Sequence, residues 1–161
     1  LLIDWPLQPP GVRVPQSPPA PSSLPRAIAR IVLGSFLLFA GIGHLTRQRE
    51  EFQAQVPTWV PLDPDFVVVA SGVVEIALGL ALIALPRYRV AVGWIVAAFF
   101  VAIFPGNISQ YVNQVDSFGL TSDAARAARL IFQPLLVLWA LWSTGAWRDR
   151  GTLWSRGGGR R

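Results

Sequence analysis

The stretch Phe66-Val-Val-Val-Ala-Ser-Gly-Val-Val-Glu75-Ile-Ala-Leu-Gly-Leu-Ala-Leu-Ile-Ala-Leu85 decides the fold class of this chain. At a rise of about 1.5 Å per residue, it is long enough to cross the hydrocarbon core of a bilayer as one helix. Glu75 is its only acidic residue and lies near its middle. A carboxylate at that depth is costly unless it is protonated, paired or in contact with water, so Glu75 is a candidate functional residue.

The composition of the 161 residues also indicates a membrane protein. Hydrophobic residues make up 52% of the chain and charged residues 14%, whereas soluble domains carry about 25% charged residues. The net charge is +5, but all 14 basic residues are arginines that flank the apolar runs instead of forming one basic face. We therefore expect contact with membrane lipids and no binding to nucleic acid.

The residue types that the chain lacks limit its chemistry. It has no Cys, no Met and a single His, His44. Disulfides, thiolate metal sites and a pair of ordinary axial haem ligands are therefore excluded within the chain. We expect no metal and no cofactor held by this chain alone, so electron transfer would need a partner protein or a cofactor without protein ligation, such as a quinone.

Four apolar runs predict an all-α fold, an integral membrane four-helix bundle. The predicted bundle covers residues 26–148, with spans at about residues 27–45, 66–85, 90–108 and 124–147. Ser122 or Asp123 is the expected N-cap of the fourth span. A Pro-rich N-terminal extension (residues 1–25) and an Arg/Gly-rich C-terminal tail (residues 149–161) flank the bundle.

The distribution of the arginines predicts the orientation of the bundle. Ten of them fall in the N-terminal segment, the loop between spans two and three, and the C-terminal tail, and four fall on the opposite side. Under the positive-inside rule, both termini are cytoplasmic and loops one and three face outward. Arg26 and Arg30, at the start of span one, are expected to extend their side chains to the interface.

Several residues predict how the bundle is anchored and packed. Trp59 in the first loop is expected to be an anchor at the outer surface, and Trp139, Trp142 and Trp147 mark the inner end of span four. Residues 47–55 predict a short interfacial helix. Small residues in spans one and two predict close helix packing at Gly34, Gly41, Ser71 and Gly79.

The predicted topology places polar residues from all four spans in one region that opens outward. The candidate site consists of Glu75, Arg129, His44, Asn107 and Gln133. Arg129 is the expected partner of Glu75, because the two long side chains can extend toward each other. A buried structural pair is about as common as a working site, so the catalytic residues stay unassigned.

Four segments in order carry a family resemblance: Gly41-Ile-Gly-His44, Val56-Pro-Thr-Trp-Val-Pro61, Ser71-Gly-Val-Val-Glu-Ile-Ala-Leu-Gly79 and Phe104-Pro-Gly-Asn107. With these segments, about residues 28–147 resemble the DoxX-like family of small four-span bacterial membrane proteins. The resemblance implies a multi-pass protein of the bacterial cytoplasmic (inner) membrane. Related proteins are linked with quinone-coupled thiosulfate oxidation and with membrane complexes that gather redox-defence enzymes. His44, Glu75 and Asn107 match by position, with their role open.

Three functions are compatible with these features. The preferred one is a non-enzymatic accessory subunit of a larger bacterial membrane complex, respiratory or redox, that contacts other subunits partly through the N-terminal extension and the C-terminal tail. The first alternative is a quinone-interacting subunit of a membrane oxidoreductase, in which Glu75, Arg129 and His44 bind the quinone head group or relay its protons. The second alternative is a small-solute carrier with Arg129 as the counter-charge.

Overall fold

The computed structural model describes residues 22–117, 119 and 121–151 of the chain. The partner contacts that the sequence predicts for the N-terminal extension and the C-terminal tail fall largely outside these residues. All the structural statements below concern the described residues.

The described residues form an all-α structure. The helices are α1 (Leu24–Leu45), α2 (Arg49–Gln53), α3 (Pro64–Ala84), α4 (Arg89–Val112) and α5 (Asp123–Thr144), and a 3₁₀ turn at Pro86–Tyr88 joins α3 to α4. Four of the helices, α1, α3, α4 and α5, are long and apolar enough to cross a membrane. The structure therefore confirms the predicted helical class and the four helices of spanning length.

The helix α4 is longer than the sequence predicted. It continues through Pro105 to Val112, whereas the third span was expected to end near residue 108. Proline removes one backbone hydrogen bond and disfavours a helix interior, yet the neighbouring helices hold this segment helical. Asn107 therefore lies inside α4 and does not cap its end.

The helix α5 begins where the sequence predicted and ends earlier. Ser122 is its N-cap, since the Ser122 hydroxyl accepts a hydrogen bond of 3.2 Å from the backbone N–H of Ala125. The helix ends at Thr144 because Gly145 adopts a left-handed conformation with φ of 67°. Glycine is the usual residue at such a helix end because it has no Cβ to clash there.

Close glycine contacts join α1 to α3. A Cβ atom added at Gly79 would lie 2.6 Å from the carbonyl oxygen of Gly34, and one added at Gly41 would lie 2.7 Å from that of Gly72. The close packing predicted at Gly34, Gly41 and Gly79 is thereby confirmed. Helix α4 packs mainly on α5, and the core between the two helix pairs includes Leu33, Leu37, Leu82, Val96, Phe100, Leu136 and Ala140.

The long helices run antiparallel to their neighbours, so the bundle has two distinct ends. We call the end with the last turns of α1 and α4 the cavity end, and the opposite end, with the first turns of α1 and α4, the arginine end. The tryptophans predicted for the inner end of span four lie toward the arginine end. There Trp139 Nε1 donates a 3.1 Å hydrogen bond to the Ala29 carbonyl, and the Trp142 ring lies 5.9 Å from the Arg26 guanidinium carbon.

Candidate functional site

A cavity of about 440 Å³ lies at the cavity end, between the four long helices and the first loop. All five residues of the predicted site line it, namely His44, Glu75, Asn107, Arg129 and Gln133. Most of the other lining residues are apolar, and they include Phe36, Phe52, Phe100, Phe132 and Leu136. An apolar cavity of this size with a few convergent polar groups is typical of a small-molecule site.

Glu75 is a buried carboxyl group on the α3 wall of this cavity. The residue is 5% exposed, and Oε2 has no hydrogen-bond partner among the residues that the structure describes. Its nearest ionisable neighbour is His44, whose Nε2 lies 3.7 Å from Glu75 Oε2. A buried polar atom without a partner is rare in proteins and points to a functional or ligand-binding role.

The expected pair between Glu75 and Arg129 is not formed in the described part of the chain. Arg129 Nη2 instead donates a 2.7 Å hydrogen bond to Gln55 Oε1. The reason is the close contact of α1 with α3, which places His44 beside Glu75. Arg129 lies on α5, in the other helix pair, and its charge acts on His44 across the cavity.

The contacts of His44 favour one of its two neutral tautomers. His44 Nδ1 lies 2.9 Å from Ser71 Oγ, and the Ser71 hydroxyl donates to the Val68 carbonyl at 2.9 Å. Because a hydroxyl has a single proton, the arrangement that satisfies both contacts has Nδ1 donating to Ser71 and the Ser71 hydroxyl donating to Val68. The lone pair of a neutral His44 would then face Glu75, so the pair is attractive only when it binds one further proton. Such a pair can store a proton and deliver it to a ligand.

The opposite wall of the cavity is built from hydrogen-bonded amides. Asn107 Nδ2 donates to Gln133 Oε1 at 3.0 Å, and Gln133 Nε2 donates to the Phe100 carbonyl at 2.7 Å. Both amide side chains are buried. These bonds join α4 to α5 and fix the position of Asn107 beside the cavity.

A second network of polar side chains holds the first loop against the bundle. Gln55 Nε2 and Gln110 Nε2 both donate to the Ser117 hydroxyl, at 3.0 and 2.9 Å. Since Arg129 donates to Gln55, the network connects α4, α5 and two loops. Gln55 and Ser117 were absent from the predicted site, because a Gln or Ser in a loop looks like any solvated residue until the loop is folded. Gln110 lies in the part of α4 beyond the predicted end of that span.

The first loop covers the cavity. The predicted helix of residues 47–55 is observed as the shorter α2, and the Phe52 ring lies 3.5 Å, between centroids, from the His44 ring. An ion pair of Arg49 with Asp65 holds α2 in place, and the hydrogen bond to the Asp65 carboxylate raises the pKa of Arg49. Trp59, predicted as an outer anchor, is 69% exposed and also lines the cavity.

These features define a class of protein: an all-α protein with four helices of membrane-spanning length around a cavity of small-molecule size. The chain belongs to the family described as a domain of unknown function, DUF8561, whose model matches residues 33–144. That range contains all five residues of the candidate site. No curated protein and no solved structure matches the chain. The resemblance to the DoxX-like family stays a prediction.

Proposed function

We propose that the chain is a multi-pass membrane protein that binds a small amphipathic molecule of the quinone class in the cavity. The observation that carries this proposal is the buried carboxyl group of Glu75, which lies beside His44 and lacks a hydrogen-bond partner for Oε2 within the described residues. A ligand with a polar head group can supply that partner, and its apolar part fits the aromatic lining of the cavity.

The outer faces of the bundle support its placement in a membrane. Large apolar side chains are exposed on all four long helices, including Phe39, Val73, Val101 and Leu138. A soluble monomer rarely exposes so much apolar surface, whereas lipid chains would cover it. The excess of arginines at the arginine end supports a cytoplasmic position for that end, with the cavity opening outward. The resemblance to the DoxX-like family supports the bacterial inner membrane.

Labelling of single cysteines tests this orientation, because the chain has no Cys of its own. Thr58→Cys in the first loop and Tyr88→Cys in the turn between α3 and α4 are both at exposed positions. In intact cells, a maleimide that does not cross membranes should label Thr58→Cys and should label Tyr88→Cys only after permeabilisation. Labelling of both, or the reverse pattern, would contradict the proposed orientation.

The two walls of the cavity offer hydrogen bonds to both edges of a quinone ring. His44 and Glu75 lie on one wall, and Asn107 and Arg129 lie on the other. Each carbonyl oxygen of a quinone accepts hydrogen bonds, and reduction to the quinol takes up two electrons and two protons. A proton bound by the His44 and Glu75 pair would be suitable for transfer to one of these oxygens. The electrons would come from another protein, because the chain has no Cys, no Met and one His.

Binding of a short-chain quinone tests the proposed ligand. Trp59 lines the cavity, so binding to the purified protein in detergent should quench its fluorescence saturably. We expect Glu75→Leu to weaken binding about tenfold, the value of one charge-assisted or buried hydrogen bond, and Glu75→Gln to weaken it less. Glu50→Gln is the matched control, since Glu50 is an exposed acidic residue of α2. Equal affinity of the wild type and Glu75→Leu would contradict the proposal.

We also propose an accessory role in a larger membrane complex, which the need for an external electron donor favours. Under this proposal, the quinone site works only when a redox subunit is bound to the chain. Native mass spectrometry after purification in mild detergent tests it. A stoichiometric partner with its own redox centre is the expected result, and a chain that always migrates alone would contradict it.

A further inference from the structure

The arginine end contains a buried charge that plays no part in the cavity. Arg30, in the second turn of α1, is 5% exposed. Its Nε and Nη1 atoms are buried and have no hydrogen-bond partner in the part of the chain that the structure describes. The charge that acts on Arg30 is that of Arg89, at the start of α4, which is also positive.

The single acidic side chain that the described residues place at this end is engaged by other arginines. Asp149 Oδ2 accepts from Arg89 Nη2 at 2.8 Å, and Asp149 Oδ1 accepts from Arg148 Nε at 2.7 Å. The described arginines of this end are Arg26, Arg30, Arg87, Arg89, Arg148 and Arg150. Six positive charges therefore stand against one negative charge, and the most deeply buried of them is Arg30.

A buried guanidinium without an anion is unfavourable, since desolvation removes its hydration and leaves the donors unsatisfied. The planar fork of an arginine matches the oxygen atoms of a phosphate. In membrane proteins, basic pockets between helices on the cytoplasmic side bind phosphate-bearing head groups. We propose that Arg30, together with Arg89, binds a phosphate group between α1 and α4 at the arginine end.

Two sources supply this chemistry, a lipid head group and free inorganic phosphate. A lipid phosphate would reach Arg30 along the surface of the bundle, because Arg30 lies about 9 Å along the axis of α1 from its first residue, and the long arginine side chain can extend toward the head groups. The lipid source rests on the proposed membrane placement, whereas binding of free phosphate does not. The site is separate from the cavity, so loss of quinone binding leaves this proposal standing.

Thermal unfolding of the full chain in a neutral, phosphate-free detergent tests the site. Phosphatidylglycerol, phosphatidylcholine and inorganic phosphate are titrated separately, with chloride at matched ionic strength as the reference. A saturable rise of the midpoint with phosphatidylglycerol alone identifies a lipid head group as the ligand, and a rise with inorganic phosphate as well identifies the phosphate group itself. A midpoint that responds to none of the three, or equally to chloride, overturns the proposal.

Two variants separate a built site from general surface charge. Arg30→Met should weaken phosphatidylglycerol binding about tenfold, as expected for loss of a charged hydrogen-bond donor. Without phosphate or anionic lipid it should unfold at the wild-type midpoint or above, because the unpaired charge is gone. Arg87→Met, which removes an exposed arginine of the same end, should bind like the wild type. Equal weakening in the two variants overturns the site, and if Arg30→Met fails to fold, Arg30→Lys must still bind more weakly than Arg87→Met.

Discussion

The two ends of the bundle differ in the hydrogen bonds and charges that surround their buried polar groups. At the cavity end, polar side chains from α4, α5 and two loops bond to one another, and one unpartnered atom among the described residues, Glu75 Oε2, lies in a residue that lines an open volume. At the arginine end, Arg30 is packed among helices with positive charge around it. A bonded wall beside an open volume suits a neutral molecule, whereas an unpaired positive charge requires an anion. The same four helices thus offer two kinds of binding.

The largest loss of stability is expected at the glycine contact between α1 and α3, because these helices extend through both ends of the bundle. Gly41→Leu would place a Cβ atom 2.7 Å from the Gly72 carbonyl and 2.8 Å from Ile76 Cγ1. Because a backbone oxygen cannot move aside, the helices must separate. We expect the free energy of unfolding to fall by about 3 kcal/mol, near the upper end of overpacking costs, and quinone binding to be lost.

The measurement for Gly41→Leu is detergent unfolding followed by circular dichroism. Ser35→Leu, which adds the same side chain on an exposed face of α1, is the control and should change stability little. Equal stability of the two variants would show that α1 and α3 do not need this close contact.

A smaller effect is expected for the amide wall of the cavity. Gln133→Leu removes the acceptor for Asn107 and the donor to the Phe100 carbonyl. An orphaned buried amide costs about 1–3 kcal/mol, and we expect a loss of stability in that range. The double variant Asn107→Leu with Gln133→Leu should be more stable than the sum of the single changes predicts. Strict additivity would show that the two amides do not bond.

A third prediction concerns the partner of Glu75. In double-mutant cycles, His44→Leu with Glu75→Leu should give a coupling energy of about 1 kcal/mol or more, as residues in contact do. Arg129→Leu with Glu75→Leu should give a smaller value, because Arg129 donates to Gln55. A larger coupling for the Arg129 cycle would restore the pair that the sequence predicted.

The sequence predicted the fold well because the signals for it are local. Apolar runs of spanning length, a helix cap at Ser122 and small residues at Gly34, Gly41 and Gly79 each act within one helix or one helix pair. The five residues of the predicted site line one cavity for the same reason, since a polar side chain in an apolar run must face the interior. Local signals do not show which polar residues come into contact. The prediction of Arg129 as the partner of Glu75 was therefore wrong.

The features that were missed depend on tertiary packing. The third span was expected to end near residue 108, yet α4 continues through Pro105 to Val112 because its neighbours hold it. Arg30 read as a boundary charge that extends to the interface, but it is buried in the bundle. Its burial depends on the positions of α4 and α5, which no pattern within α1 can reveal.

The smallest effect is expected at the arginine end, where Asp149 lies outside the long helices. Hydrogen bonding from Arg148, with the nearby charges of Arg89 and Arg26, lowers the pKa of Asp149 below its ordinary value of 3.8. A lowered pKa means that the folded state favours the ionised carboxylate. Its stabilisation is therefore complete above the ordinary pKa and is lost as the pH falls through the lowered value.

The wild type should accordingly lose stability in acid by a contribution that Asp149→Asn lacks. We expect the difference between the two proteins to be about 1 kcal/mol near neutral pH, the range of an ion pair that is partly exposed, and to shrink as the pH falls below about 3.8. Thermal unfolding over this pH range measures it. A difference that stays constant would mean that Asp149 contributes through packing and not through charge. In that case the carboxylate of Asp149 would not offset the charge of Arg89. The net positive charge around Arg30 would then be larger than the ion pairs suggest.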